Sequence, residues 1–222
     1  MSILKKIPNN QVIYISGTPC TGKTTVSTKL NDYFKENDFN TRFIKINDLA
    51  IEKDLVLGED PDKFYKVIDI DKLNLILNEE IDDFLNKSSN CSDSSSESSS
   101  GSSSDSSSGS SLESSNIVIV EGHLSHLCEG ADKMIILRLN PKELESRLKG
   151  RDYSDSKINE NLEAEALAVC SAEAYEIYGG NASEIDTTNK SIEEVIDMII
   201  NIISGQLESP VGSIDFMDWF LN

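Results

Sequence analysis

The chain has 222 residues (24.5 kDa), with 20 Lys and Arg against 39 Asp and Glu, a formal net charge of −19 and a pI of about 4.4. That length admits one substantial domain, with or without appendages. The charge argues against strong direct binding of bare nucleic acid, whose sequence-independent affinity comes from basic side chains neutralising phosphates; part of the acidity serves solubility, and basic partners fit it better.

Gln11–Ser16 (QVIYIS) is β-rich and runs into a glycine loop in which Gly17, Gly22, Lys23 and Thr24 fill the fixed places of G-x-x-x-x-G-K-[ST]. Lys23 to Asn37 has helical spacing, with Val26, Leu30, Tyr33 and Phe34 on one face. Thr41–Ile46 is a second strand, DLAIEKDL a short helix, and Leu57 to Tyr65 a polar loop. Asp71 to Asn86 is amphipathic, with Leu73, Ile76, Leu77, Ile81 and Phe84 or Leu85 facing inward. Residues 88–115 are serine, glycine and a few acids, too poor in apolar area to offset ordering entropy. Disorder is expected there, either as a tolerated insertion or as a regulated phospho-acceptor tract.

Order resumes at Asn116–Gly122 (NIVIVEG), a continuous apolar run suited to a central parallel strand, and Lys133–Leu139 is another strand. Pro141 opens a helix that runs to Lys149. Ser154–Gly179 is expected to be one long helix, Glu184–Thr188 a last short strand, and Ser191 with Glu194 a capping box for a helix reaching Ser204. The tail from Leu207 carries Phe216, Met217, Trp219 and Phe220, bulk that either packs back on its own domain or docks elsewhere. Strands alternating with helices give an α/β fold, a parallel sheet with helices on both faces and the ligand at the carboxyl ends of the strands. The division expected is a single domain over residues 1–87 and 116–206, the insertion 88–115 and the tail 207–222.

Cys20, Cys91, Cys128 and Cys170 lack metal-site or disulfide-framework spacing, so a reducing, cytoplasmic setting is expected. The first residues lack the apolar run of a signal peptide, and the apolar stretch near the C-terminus is interrupted by Asp197 and Asn201, so no membrane association is expected.

The loop glycines let backbone N–H groups converge on phosphate oxygens at a helix N-terminus; Lys23 brings charge to the β- and γ-phosphates and Thr24 a hydroxyl for Mg²⁺. Glu121, closing the apolar strand, is placed to hold a Mg²⁺-bound water or to orient an attacking one. His123 follows it and reads as a positioner of water or phosphate; with His126 it makes H-x-x-H, but no further ligand set supports zinc. Of the four arginines, Arg151 in the polar connection KGRDYSDSK is the first candidate for the migrating phosphoryl group and Arg147 the second. Arg138, inside a strand, is expected to be paired, and Arg42 to be a surface charge.

The segments SGTPCTGKTT, IKINDLA, IVEGHLSHL, GRDYSDSKINENLEAEAL and EIDTT, in this order, resemble the landmarks of the archaeal and eukaryotic adenylate kinase isoenzyme 6 family, from Asn10 to Ile203 with the serine tract interrupting. The resemblance implies a P-loop NTPase of the nucleoside monophosphate kinase kind with a five-stranded parallel sheet, a monophosphate-binding segment over 45–69 that includes Asp48, and a lid over 150–160. Cys20, Gly22, Lys23, Thr24, Thr25 and Arg151 would then bind ATP, and Glu121 with His123 would match an acidic-x-His element associated with hydrolysis. It implies transfer from ATP to AMP or a related monophosphate, with Mg²⁺. It also implies late maturation of the small ribosomal subunit through transient binding of a basic ribosomal protein. An ATPase switch with little kinase activity, or a small-metabolite kinase, are the other readings. Cys20 departs from the family's usual glycine; a positive φ there would be strained, and its thiol, beside Lys23 and a helix N-terminus, would be more acidic and oxidisable.

Overall fold

The computed structural model describes residues 3–59, 66–90, 115–151 and 153–221. The apolar run of β1 (Gln11–Ser16) points Ile13 and Ile15 to one side and Val12 and Tyr14 to the other, as the two-residue period of a strand requires. The chain then enters the glycine loop and α1 (Lys23–Glu36), returns through β2 (Asn40–Lys45), and turns at once into α2 (Ile46–Glu52). Where a polar loop was expected after Leu57, β3 (Val56–Glu59) and β4 (Lys66–Ile68) pair as an antiparallel hairpin with a register shift between Val56 and Gly58. The Val and Ile residues at its base supply the β propensity that a count of polar residues hides. Residues 60–65 of that expected loop lie outside the described residues.

Helix α3 (Ile70–Asn90) is longer than expected and carries the first three residues of the serine tract; residues 91–114 lie outside the described residues, and Ser115 is described. Beyond it, β5 (Asn116–Glu121) and β6 (Lys133–Arg138) flank β1, so that the sheet runs β2-β5-β1-β6-β7 with β7 (Ala182–Asp186) at the far edge. All four pairings are parallel. The expected five-stranded parallel sheet is present.

One face carries Ile13, Ile15, Ile117, Ile119, Ile135 and Leu137, covered by α1 and by the six buried residues of α7 (Ile192–Ile203). The other carries Tyr14, Val118, Val120, Met134 and Ile136, covered by α2, α3 and Ala174. Each of these side chains, once removed from water, contributes roughly 1.5–3 kcal/mol, which is why the central strands read as unbroken apolar runs. The capping box of α7 forms as expected: Glu194 N donates to Ser191 Oγ (3.2 Å) and Ser191 N to Glu194 Oε2 (2.7 Å).

The single long helix expected over Ser154–Gly179 is instead two, α5 (Asp155–Ala166) and α6 (Val169–Tyr178), which follow α4 (Pro141–Lys149). The break is set by a contact from β6. Arg138 Nη2 donates to the Glu165 carbonyl at 2.7 Å, occupying the acceptor that the next helical amide would use, and Ala168 adopts φ 55°. Leu139, Leu144, Leu148, Ile158 and Leu162 form a third apolar cluster between α4 and α5. The tail folds back on its own chain: Glu184 N donates to Ser209 O (3.0 Å), and Trp219 packs against that third cluster. Among the described residues no helix is long and apolar enough to cross a membrane.

Candidate active site

The glycine loop leaves β1 at the centre of the sheet and is shaped by its backbone. Gly17 (φ 138°) passes so close to β6 that a Cβ there would lie 2.4 Å from the Leu137 carbonyl oxygen. Gly22 (φ 100°) is the N-cap of α1 and offers no capping side chain, so the first amides of that helix face the loop, the arrangement that attracts phosphate. Lys23 is buried, and its Nζ donates to the carbonyls of Gly17 (2.8 Å) and Thr18 (2.9 Å). Burial lowers its pKa, against the opposing pull of Cys170, Glu121, Cys20 and Glu165.

Thr24 Oγ1 donates to both carboxylate oxygens of Glu121, each at 3.2 Å. Glu121 ends β5, in register with Ile15 of β1 and Lys45 of β2, at the carboxyl edge of the sheet. A hydroxyl and a carboxylate, both hard oxygen donors, fit Mg²⁺, which prefers one or two protein oxygens and takes its remaining ligands from water and phosphate. Thr25 is exposed in the first turn of α1. Asp48 is exposed in the first turn of α2, which opens directly beyond β2 at the same edge.

The two histidines diverge. His126 is buried with both ring nitrogens engaged: Nδ1 with Ser16 Oγ (2.7 Å) and Nε2 with Glu173 Oε2 (2.8 Å). It ties β1 and α6 to the turn that carries His123. His123 itself shows an exposed edge, while the protein around the rest of the ring lowers its pKa to about 4; desolvation comes first, then the charges of Lys23, His126 and Lys157. Its ring is therefore neutral at pH 7 and offers a nitrogen as acceptor.

Of the arginines, Arg147 reaches the loop: Nη1 donates to Cys20 O at 3.3 Å and Nη2 to Glu143 Oε1 at 2.6 Å. Arg151 is exposed on the turn after α4, its amide bonded to Leu148 O. The residue ranked second thus lies against the phosphate loop, because one helical turn separates the two and α4 presents Arg147 to Cys20. Residues 155–160 of the expected lid already belong to α5, and Asp152 lies outside the described residues. Arg138 is paired as expected, and Arg42 is an exposed partner of Glu80 (2.9 Å). Cys20 has φ 70°, and its side chain packs against the α4–α5 cluster.

Sequence reasoning missed Thr18 and Glu165, which meet across 147 positions at 2.5 Å. The available signal was Arg138: a cation inside an apolar strand must find carboxylates, and it finds Glu165 (2.8 Å) and Glu184 (3.1 Å).

Residues 13–168 match the AAA domain family. A protein named "Putative adenylate kinase" from Methanothermobacter thermautotrophicus is 37% identical over 210 residues, covering 95% of this chain and 99% of its own. A Pyrococcus furiosus protein of the same name is 33% identical over 207 residues, covering 92% and 91%. Among solved structures, the Candida albicans thymidylate kinase shares 14% identity at a TM-score of 0.47, covering 89% of this chain and 92% of its own, a likeness too distant to bear on the site.

Proposed function

The chain belongs to the AAA domain family, among archaeal relatives named as adenylate kinases, and from that premise we propose that it is a Mg²⁺-dependent nucleoside monophosphate kinase that moves the γ-phosphoryl of ATP to AMP. The observation that supports this best is the meeting of the glycine loop, Lys23, Thr24 and Glu121 at the carboxyl edge of the sheet. In this reading the α1 amides cradle the phosphates, and Lys23 exchanges its two carbonyl acceptors for the β- and γ-phosphate oxygens. Thr24 and Glu121 would hold Mg²⁺, which when bound would supply positive charge to the phosphates. Arg147, and Arg151 once the lid segment closes, neutralise the migrating group. An AMP phosphate oxygen, presented from the 45–69 segment with Asp48, attacks the γ-phosphorus as its bond to the β-bridging oxygen breaks, giving two ADP.

A second activity, ATP hydrolysis, is favoured by the neutral ring of His123 two residues after Glu121, a pair suited to orient water. An acidic chain with such a cycle fits a transient, basic partner such as a small-subunit ribosomal protein, in a cytoplasmic setting.

The test is ADP formation in a coupled assay with and without AMP, for the wild type and Lys23→Ala. AMP-stimulated turnover is expected, with a loss of at least about 10²-fold in the folded Lys23→Ala protein, the scale of losing one transition-state charge contact. AMP-independent turnover alone would leave only the hydrolytic reading, and wild-type rates in Lys23→Ala would overturn both.

A further inference from the structure

Behind the phosphate loop lies a buried cluster that the proposed reaction does not itself use. Glu165, at the end of α5, is 2% exposed, and its carboxylate accepts from Arg138 Nε (2.8 Å), Leu139 N (3.0 Å) and Thr18 Oγ1 (2.5 Å). Arg138 also reaches Glu184, which is 0% exposed and accepts from Ser171 Oγ (2.9 Å) and Ile214 N (2.6 Å). Two carboxylates thus face one guanidinium, and a carboxylate so placed takes its remaining donors firmly. Thr18 is 3% exposed and is its contact with the glycine loop. The Thr18 carbonyl accepts from Lys23 Nζ (2.9 Å), Thr21 Oγ1 (2.9 Å) and Thr21 N (3.3 Å), so fixing that one residue fixes the turn of the loop and the seat of Lys23.

We propose that Glu165 is a positioning residue for nucleotide binding: it pins Thr18, and through the Thr18 carbonyl, which accepts from Thr21 N and Oγ1, it holds the phosphate loop in the turn that receives the phosphates. Glu165 touches no substrate. Its effect is preorganisation, since a loop already ordered before the ligand arrives pays no ordering cost on binding. The inference rests on the nucleotide-binding reading of the loop.

The experiment is calorimetric titration of a Mg²⁺ complex of a non-hydrolysable ATP analogue into the full chain, which requires neither an acceptor nor turnover. Stoichiometry reports the folded fraction and Kd reports the loop. Thr18→Val, which removes the hydroxyl and with it the hydrogen bond to Glu165 and a weaker one with Cys170, is expected to raise Kd about tenfold at unchanged stoichiometry, the effect of losing one charge-assisted hydrogen bond. Thr18→Ser, which restores the hydroxyl, is expected to return Kd to within about threefold of the wild type, and a folded Glu165→Gln to match Thr18→Val. If Glu165→Gln does not fold, the Thr18 pair decides alone. A wild-type Kd in Thr18→Val, lowered stoichiometry without a change in Kd, or Thr18→Ser as weak as Thr18→Val would each overturn the proposal. Absence of any binding by the wild type would instead overturn the nucleotide reading, a separately visible outcome.

Discussion

Cys20 sits at φ 70° inside the phosphate loop, a conformation that costs an L-residue with a Cβ roughly 1–2 kcal/mol. Against that, the side chain gains some contact with the α4–α5 cluster, and glycine would lose about 0.4–1 kcal/mol through the freer unfolded chain. The terms nearly cancel for Cys20→Gly, so its stability alone says little. The informative comparison is with Cys20→Ala, which keeps the strain and loses the thiol contact. Cys20→Gly is expected to be more stable than Cys20→Ala by about 1 kcal/mol in denaturant unfolding, the reverse of the order in a helix interior. Equal stabilities would mean that the loop relaxes around position 20. The strain was legible in the sequence only as a condition, because a glycine missing from a glycine loop shows where φ matters and leaves its sign to the backbone. The contact of Arg147 with the loop was not legible for a related reason. Both are polar positions one helical turn apart, and which of them reaches Cys20 is decided by the rotation of α4.

At the scale of elements, the tail behaves as part of the domain. Ser209 bonds β7 through Glu184 N and O, Ile214 N donates to Glu184 Oε1, the Phe216 ring lies 5.2 Å from the Arg138 guanidinium carbon, and Trp219 packs against the α4–α5 apolar cluster. Truncation after Gln206 strips donors from a buried carboxylate and uncovers a charged cluster. A loss of at least about 3 kcal/mol is expected, from one or two unsatisfied buried groups and one large aromatic. For a domain of this size that corresponds to a fall in Tm of roughly 6–12 °C. Phe220→Ser and Leu221→Ser, at 45% and 83% exposed positions, serve as the control and are expected to leave Tm unchanged. A truncated chain melting with the wild type would show that the tail's contacts contribute nothing net. The sequence left the tail open between docking and packing back, since its apolar bulk is visible but its receptor, assembled from β6, β7 and α5, is not. The five strands and the α7 capping box were legible because β propensity and cap chemistry are local. The α5–α6 break was not, because a guanidinium from β6 causes it.

For the whole molecule, the charge of −19 and two histidines make a sharp pH argument. Between pH 7 and 5 the ordinary carboxylates stay ionised, so the histidines are the side chains that take up protons there. Both are held below their usual pKa in the folded state: His123 at about 4 by desolvation and then Lys23, His126 by desolvation, with Glu173 opposing and Lys23 adding to the depression. In the unfolded chain they return to about 6.5 or higher, since surrounding negative charge favours the imidazolium. The unfolded state thus binds more protons in this window, and stability rises with pH through it. The contribution is complete above the unfolded pKa and is lost as pH falls toward the folded values, with a limiting slope of about 1.4 kcal/mol per pH unit for each unmatched proton. Both contribute to the slope; His123, with its exposed edge, is screened and adds less than its shift alone would give. Denaturant midpoints measured from pH 7 down to pH 5 are therefore expected to fall steadily. His126→Gln, an uncharged side chain able to keep a hydrogen bond to Ser16 or Glu173, is expected to start from a lower midpoint and to fall less steeply. A His126→Gln profile parallel to the wild type would show that His126 titrates alike in the folded and unfolded states, and a wild-type midpoint that rises as pH falls would show that His126 is protonated in the folded state as an ion pair with Glu173. The turn bearing His123 would then be anchored by a charge pair, and lowering the pH to 5 would leave that anchor intact.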